Sequence, residues 1–268
     1  MMAPMPLSQI CSHPDFKNIR LIATDMDGTL TQAGKFTPVL LQTLENLARA
    51  QIQVLIVTGR SAGWVSGLVA YLPVMGAIAE NGGLFYPQAD NEPELLVNLP
   101  NLHNHRQQLA TTFAHLQQTF PNIRESTDNR FRITDWTFDV ADLSQSDLRH
   151  MAAICHHQNW SFTYSTVQCH IKPAQQDKAA GLVQALNRHF PQYDINQVLT
   201  VGDSPNDESL FNAAIFPQSV GVANIAHYTQ QLTHVPTYIT LASEANGFCE
   251  LAGQLLQNHS AHDSSHTA

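Results

Sequence analysis

Short apolar runs that end abruptly on polar clusters constrain this chain more than any other feature. Arg20-Leu-Ile-Ala-Thr-Asp25 stops on a carboxylate, Ile52-Gln-Val-Leu-Ile-Val57 on Thr58-Gly59-Arg60, and Val198-Leu-Thr-Val-Gly202 on Asp203. Runs that are apolar throughout, rather than alternating, read as strands buried on both faces, the pattern of a parallel sheet covered by helices. The segments between them carry the helical period such a sheet needs. Thr37-Pro38 offers an N-cap followed by proline at the first helical position, and Leu40, Leu44 and Leu47 share one face. Ser61 offers a cap for a second helix burying Trp64, Val65 and Leu68, and Val74 to Ala79 reads as a further strand ending at Glu80-Asn81-Gly82-Gly83. Strand alternating with helix predicts an α/β fold with a Rossmann-like parallel-sheet core.

From Leu84 the rhythm changes. Leu84 to Tyr86 and Leu95 to Val97 read as a hairpin, followed by a helix near His103 to Gln118 and a strand near Arg130 to Val140. A helix near Ser144 to His157 and a strand pair through Phe162 to Ile171 complete an α+β group. The expectation is an inserted domain over 83–173 that splits the core into 1–82 and 174–268. The α/β rhythm resumes where Asp177 caps a helix carrying Leu182, Val183 and Leu186. It ends with strands near 219–223 and 237–240, a helix near 246–256, and a polar tail over 257–268 expected to be disordered. A length of 268 residues accommodates both units at ordinary domain sizes.

Composition excludes several functions. With Asp+Glu 22 against Lys+Arg 13, the formal net charge is −9, which opposes nucleic-acid binding because phosphate-backbone affinity comes from clustered cations. No apolar run approaches the roughly 20 residues of a membrane span. Cys11, Cys155, Cys169 and Cys249 form no CxxC pair, and the N-terminal residues lack a signal-peptide pattern, so a reducing, cytoplasmic compartment is expected.

Four polar clusters carry the chemistry: Asp25-Met-Asp27-Gly-Thr29, Thr58-Gly59-Arg60, Lys178 at a helix start, and Gly202-Asp203-Ser-Pro-Asn206-Asp207. Each alone reads as a turn, a helix cap or a solvated side chain. Three of them follow directly on apolar strands, however, and ligands of open α/β sheets bind beyond the carboxyl ends of the strands. Taken in this order, they resemble the four motifs of the haloacid dehalogenase (HAD) superfamily of phosphohydrolases. The insertion between the second and third motifs resembles a type IIB cap, as in Cof-like and sucrose-phosphate-phosphatase-like enzymes.

The resemblance implies a phosphomonoesterase acting on a small phosphorylated substrate, most plainly a sugar phosphate, through an aspartyl-phosphate. Asp25 would be the nucleophile and Asp27 the general acid and base. Asp25, the Asp27 carbonyl and Asp203 would hold Mg²⁺, with Asp207 a direct or water-mediated ligand. Lys178 would add a positive charge, and Thr58, Gly59 and Asn206 would hold phosphate oxygens. Two alternatives share these residues: a phosphosugar mutase with the same nucleophile, and a non-catalytic phosphate-binding module. For the cap, strand alternation puts Phe131 and Ile133 under the helices and Arg130, Arg132 and Thr134 on the open face. The same argument puts Gln168, His170 and Lys172 opposite Val167, Cys169 and Ile171. Arg130, Arg132, His170 and Lys172 are the expected leaving-group contacts.

Overall fold

The computed structural model describes residues 3–12, 14–88 and 92–263. Its strands are β1 (Met5–Pro6), β2 (Leu21–Thr24), β3 (Gln53–Val57), β4 (Gly76–Ala79), β5 (Leu84–Pro87), β6 (Glu94–Leu95), β7 (Trp136–Asp139), β8 (Trp160–Tyr164), β9 (Gln168–Pro173), β10 (Val198–Gly202), β11 (Ser219–Gly221) and β12 (Tyr238–Ile239). The helices are α1 (Pro38–Arg49), α2 (Ala62–Tyr71), α3 (Leu102–Thr119), α4 (Gln145–His157), α5 (Lys178–His189) and α6 (Glu244–Asp263). Nine strands form one sheet in the order β1-β12-β11-β10-β2-β3-β4-β5-β6, and β7-β9-β8 form a second.

The large sheet is parallel from β1 to β4. Helices cover both faces, as the unbroken apolar runs require. Ile22, Val54 and Ile56 pack with Leu40, Leu44 and Leu47 of α1 and Phe248 and Leu251 of α6. Leu21, Ala23, Leu55 and Val57 pack on the other face with Ala179, Leu182 and Ala185 of α5. The chain runs outward from β2 to β4 on one side and from β10 to β12 on the other, so β2 and β10 meet where the strand order reverses. Val201 stands opposite Thr24 and the Asp25 N–H donates to Val201 O at 2.9 Å. The two strands therefore deliver Asp25 and Asp203 side by side at the crevice of an open α/β sheet.

Three expectations need correction. The hairpin expected within the inserted domain belongs to the large sheet: β5 pairs antiparallel with β4, and β6 with β5. Glu80 (φ 53°), Asn81 (φ 53°) and Gly82 (φ 97°) turn the chain so tightly that Leu84 pairs with Ala79. The strand expected from Arg130 is β7 alone, preceded by a 3₁₀ turn over Asn129–Phe131. Residues 257–263 of the expected tail continue α6, and 264–268 lie outside the described residues.

The small sheet carries α3 and α4 on one face. Leu109, Phe113, Leu116, Phe138, Met151, Cys155, Cys169 and Ile171 form its core. Along β9, Cys169 and Ile171 enter that core while His170 and Lys172 are buried outside it, the alternation expected. The cap loop reaches the large domain at α2, where a Cβ on Gly63 would stand 2.9 Å from Phe131 Cβ.

Candidate active site

Lys178 organises the centre. Asp177 caps α5 by accepting from the Ala180 N–H at 2.7 Å, which sets Lys178 at the first helical position with its side chain fully buried. The ammonium donates to Asp25 Oδ1 at 2.5 Å and to Asp207 Oδ1 at 2.6 Å. Two carboxylate partners outweigh burial and hold Lys178 charged, its pKa above the usual range. Burial raises Asp25 to about 7, against the pull of Lys178. Asp203 is likewise raised, by burial and then by the charges of Asp25 and Asp207.

The third and fourth acids are held differently. Asp203 accepts from Asn224 Nδ2 at 2.7 Å and from Thr29 Oγ1 at 3.4 Å. A Cβ on Gly28 would run into its carboxylate, and φ is 82° there, so glycine is required twice over. Asp207 Oδ2 accepts the N–H groups of Asp203 and Ser204 at 2.9 and 3.1 Å, while Oδ1 holds Lys178. Asp207 thus fastens both the loop and the lysine.

Oxygen atoms of Asp25, Asp203 and Asp207 lie within 4.8 Å of one another. Three buried carboxyl groups share one lysine, so ionising all of them calls for a further positive charge, and the donors are all oxygen. Such a set fits a hard divalent cation such as Mg²⁺.

Thr58 is buried, its Oγ1 accepting from the Arg60 N–H at 3.1 Å, and Asn206 Nδ2 donates to Asn81 Oδ1 at 3.1 Å. Asp25, Asp27, Gly59, Arg60, Asn206, Ser165, Val167, Gln168 and His170 enclose a cavity of about 20 Å³. Core and cap both contribute to its walls. The two Asp27 oxygens are gripped by Arg60 at 2.8 and 2.6 Å. Arg60 was visible in the sequence as part of Thr58-Gly59-Arg60, but nothing there linked it to an aspartate 33 positions away.

The four expected cap residues separate. His170 faces the cavity, with Nδ1 2.8 Å from Asp135 Oδ2. Arg132 is buried, but Asp128, Asp135, Gln168 and the Gly59 carbonyl use every nitrogen of its guanidinium. Lys172 lies outside that cavity: it donates to Gln176 O and Ser161 Oγ and lines an adjoining cleft of about 760 Å³ that also reaches Asn81, Lys178 and Asn206, and burial lowers it to about 8. Arg130 is exposed and stacks on Phe131 at 4.7 Å, because the segment that was to hold it in a strand is a 3₁₀ turn. Ser165 and Val167, in the β8–β9 turn, enter the cavity wall without having been expected there.

Comparison with known proteins places the chain in a family. The family profile of sucrose-6F-phosphate phosphohydrolase matches residues 18–253. A phosphoglycolate phosphatase of Methanothrix thermoacetophila is 26% identical over 239 residues, 87% of this chain and 95% of that protein. A crystal structure from Thermoplasma acidophilum superposes with a TM-score of 0.71 at 19% identity, covering 90% of this chain and 98% of that one. The sucrose-phosphatase of Synechocystis sp., in complex with sucrose and phosphate, superposes with a TM-score of 0.64 at 15% identity, covering 88% and 97%. The match across 18–253 means that the chain belongs to the sucrose-6F-phosphate phosphohydrolase family of the HAD superfamily and is a hydrolase of phosphoric monoesters.

Proposed function

We propose that the chain is a Mg²⁺-dependent phosphatase that hydrolyses a small sugar phosphate through an aspartyl-phosphate on Asp25. The observation that carries this reading is Lys178, buried and bonded to both Asp25 and Asp207. A carboxylate attacking a phosphate dianion meets about 4 kcal/mol of repulsion per unit pair at 4 Å and an effective dielectric of 20. Cations beside the nucleophile are therefore part of the mechanism. Asp25, Asp203 and the Asp27 carbonyl would hold Mg²⁺, with Asp207 at its edge, and the ion would neutralise the acids and polarise a phosphoryl oxygen.

The residues of the chain divide the remaining work. Thr58 Oγ1, the Gly59 N–H and Asn206 hold phosphoryl oxygens. An Asp25 oxygen forms the new bond to phosphorus while the bond to the leaving oxygen breaks, and that oxygen takes the proton of Asp27. Arg60 orients Asp27 and stabilises the carboxylate left behind. Asp27 then takes a proton from water, whose oxygen attacks phosphorus, and the Asp25–phosphoryl bond breaks to release phosphate. Cap residues around His170 receive the leaving group and exclude bulk water.

Asp25→Asn is expected to abolish phosphate release from p-nitrophenyl phosphate in the presence of Mg²⁺. Retained activity removes Asp25 as nucleophile. Phosphate that stays on the product of a sugar phosphate, instead of appearing free, identifies a mutase.

A further inference from the structure

His170 and Asn81 both stand beside Gly59 of the phosphate-binding loop. A Cβ on Gly59 would stand 3.2 Å from His170 Nε2 and 3.2 Å from Asn81 Nδ2. Asn81 is 1% exposed and His170 2%. Neither of these nitrogens has a hydrogen-bond partner among the described residues. A buried, unpaired Asn81 Nδ2 on the cleft that Lys178 lines, and an unbonded Nε2 on the ring that lines the cavity of Asp25 and Asp27, call for a ligand.

What each nitrogen can do is fixed by the far end of its side chain. Asp135 is held ionised by Arg132 and by His170, so it only accepts, and His170 Nδ1 must donate to it. Burial lowers the His170 pKa, which keeps the ring neutral and leaves Nε2 as an acceptor. On the other side, Ser204 Oγ donates to Asn206 Oδ1 at 2.7 Å and Asn206 Nδ2 donates to Asn81 Oδ1 at 3.1 Å. Asn81 Nδ2 is thereby left as a donor. A donor and an acceptor flanking Gly59 complement a hydroxyl group, which takes one hydrogen bond and gives one. A carboxylate gives none.

Arg132 connects this pair to the docking of the cap. A single nitrogen, Nη1, donates to Gly59 O at 2.9 Å and to the two Asp135 oxygens at 2.9 and 3.0 Å. The rest of the guanidinium binds Asp128 and Gln168. Gly59 is in the large domain and the other partners are in the cap, so the full set of bonds exists only when the two are together.

We propose that Asn81 Nδ2 and His170 Nε2 read a hydroxyl of the leaving group, and that Arg132 and Asp135 are positioning residues that present His170 as an acceptor once the cap has docked. This rests on the phosphatase reading and narrows it. The substrate is a phosphorylated sugar or polyol with a hydroxyl near the phosphoryl group, and phosphorylated carboxylates such as phosphoglycolate are disfavoured.

The test uses the full chain with Mg²⁺ and two probes, glucose 6-phosphate and phosphoglycolate, with turnover and equilibrium binding measured in parallel. Glucose 6-phosphate is expected to bind more tightly and to have the higher kcat/KM, by about 100-fold or more. His170→Gln and Asn81→Asp each lower its kcat/KM by about 10- to 100-fold. Arg132→Gln does the same, and the Arg132→Gln/His170→Gln double variant is no worse than His170→Gln alone. In ¹⁵N-histidine spectra, with His170→Gln as the assignment control, His170 is the Nδ1–H tautomer, and Arg132→Gln mixes the tautomers. Arg132→Lys replaces Arg132→Gln in both measurements if the latter does not fold. Equal binding of the two probes, an Nε2–H tautomer, or additive losses in the double variant each overturn the proposal. Tighter binding of glucose 6-phosphate with no turnover of either probe overturns the phosphatase reading and leaves this one standing.

Discussion

At the residue scale, the centre is a set of acids that need a counter-charge. Asp25 is raised to about 7 by burial, whereas in an unfolded chain it titrates near 3.8. Between those values the folded protein keeps a proton that the unfolded chain gives up, so stability falls as pH rises through that window. In chelator, the wild type is expected to lose stability from pH 4 to pH 8 relative to Asp25→Asn, by at most about 4 kcal/mol. Added Mg²⁺ should reverse the trend by favouring the charged acids. Thermal unfolding of both proteins with EDTA or Mg²⁺ measures this, and parallel curves in EDTA would refute it. Asp25, Asp203 and Lys178 were legible in the sequence because each sits one step beyond a strand or a helix cap. Arg60, Asn81 and Asp135 were not, because each acquires its role from a partner far away in the chain. For Asn81 the turn Glu80-Asn81-Gly82-Gly83 was evident, but not that its side chain faces Gly59.

At the scale of elements, Glu80 does what a strand partner would otherwise do. Its buried carboxylate accepts the N–H groups of Ala62, Ile133, Thr134 and Asp135 and the hydroxyl of Thr134, at 2.6 to 3.3 Å. This helps explain why the alternating segment Phe131-Arg132-Ile133-Thr134 is no strand: the N–H groups of Ile133 and Thr134 go to a side chain of the other domain, and those of Phe131 and Arg132 go to Asp128 O and Asn129 O in the 3₁₀ turn. Nothing local in the sequence announces that. The same carboxylate starts α2, where Ser61 contributes no side-chain cap. Glu80→Leu is expected to cost at least about 3 kcal/mol, since several buried N–H groups lose their acceptor at about 1–3 kcal/mol each. Glu80→Gln, which keeps an acceptor oxygen, should cost less. Urea unfolding of the two variants checks the order, and equal losses would contradict it. The large sheet was readable from unbroken apolar runs and helical leucine spacing, down to helices on both faces. The allegiance of β5 and β6 was not, because a hairpin pattern says nothing about which sheet its edge joins.

At the scale of the whole molecule, the cap lies closed. The cavity of about 20 Å³ beside Asp25, Asp27 and His170 holds no sugar phosphate, so a substrate bound there requires the domains to part. Besides Arg132 and Glu80, Tyr164 of the cap reaches across by donating to Gln231 Oε1 at 2.7 Å. Joining cysteines at these two positions with a short bismaleimide is expected to stop turnover, while each single cysteine variant treated alike stays active. Undiminished turnover in the joined protein would show that the closed form admits substrate. The placement of the centre at the junction of β2 and β10 also bears on how the protein is made. Asp25 and Asp203 stand on neighbouring strands, yet the whole cap is synthesised between them. A nascent chain therefore carries Asp25 early, with one side of β2 unpaired and open to other strands, until β10 arrives. Every half-made chain has an incomplete acidic centre and a strand edge prone to stray pairing, so for this fold synthesis itself is the hazardous interval.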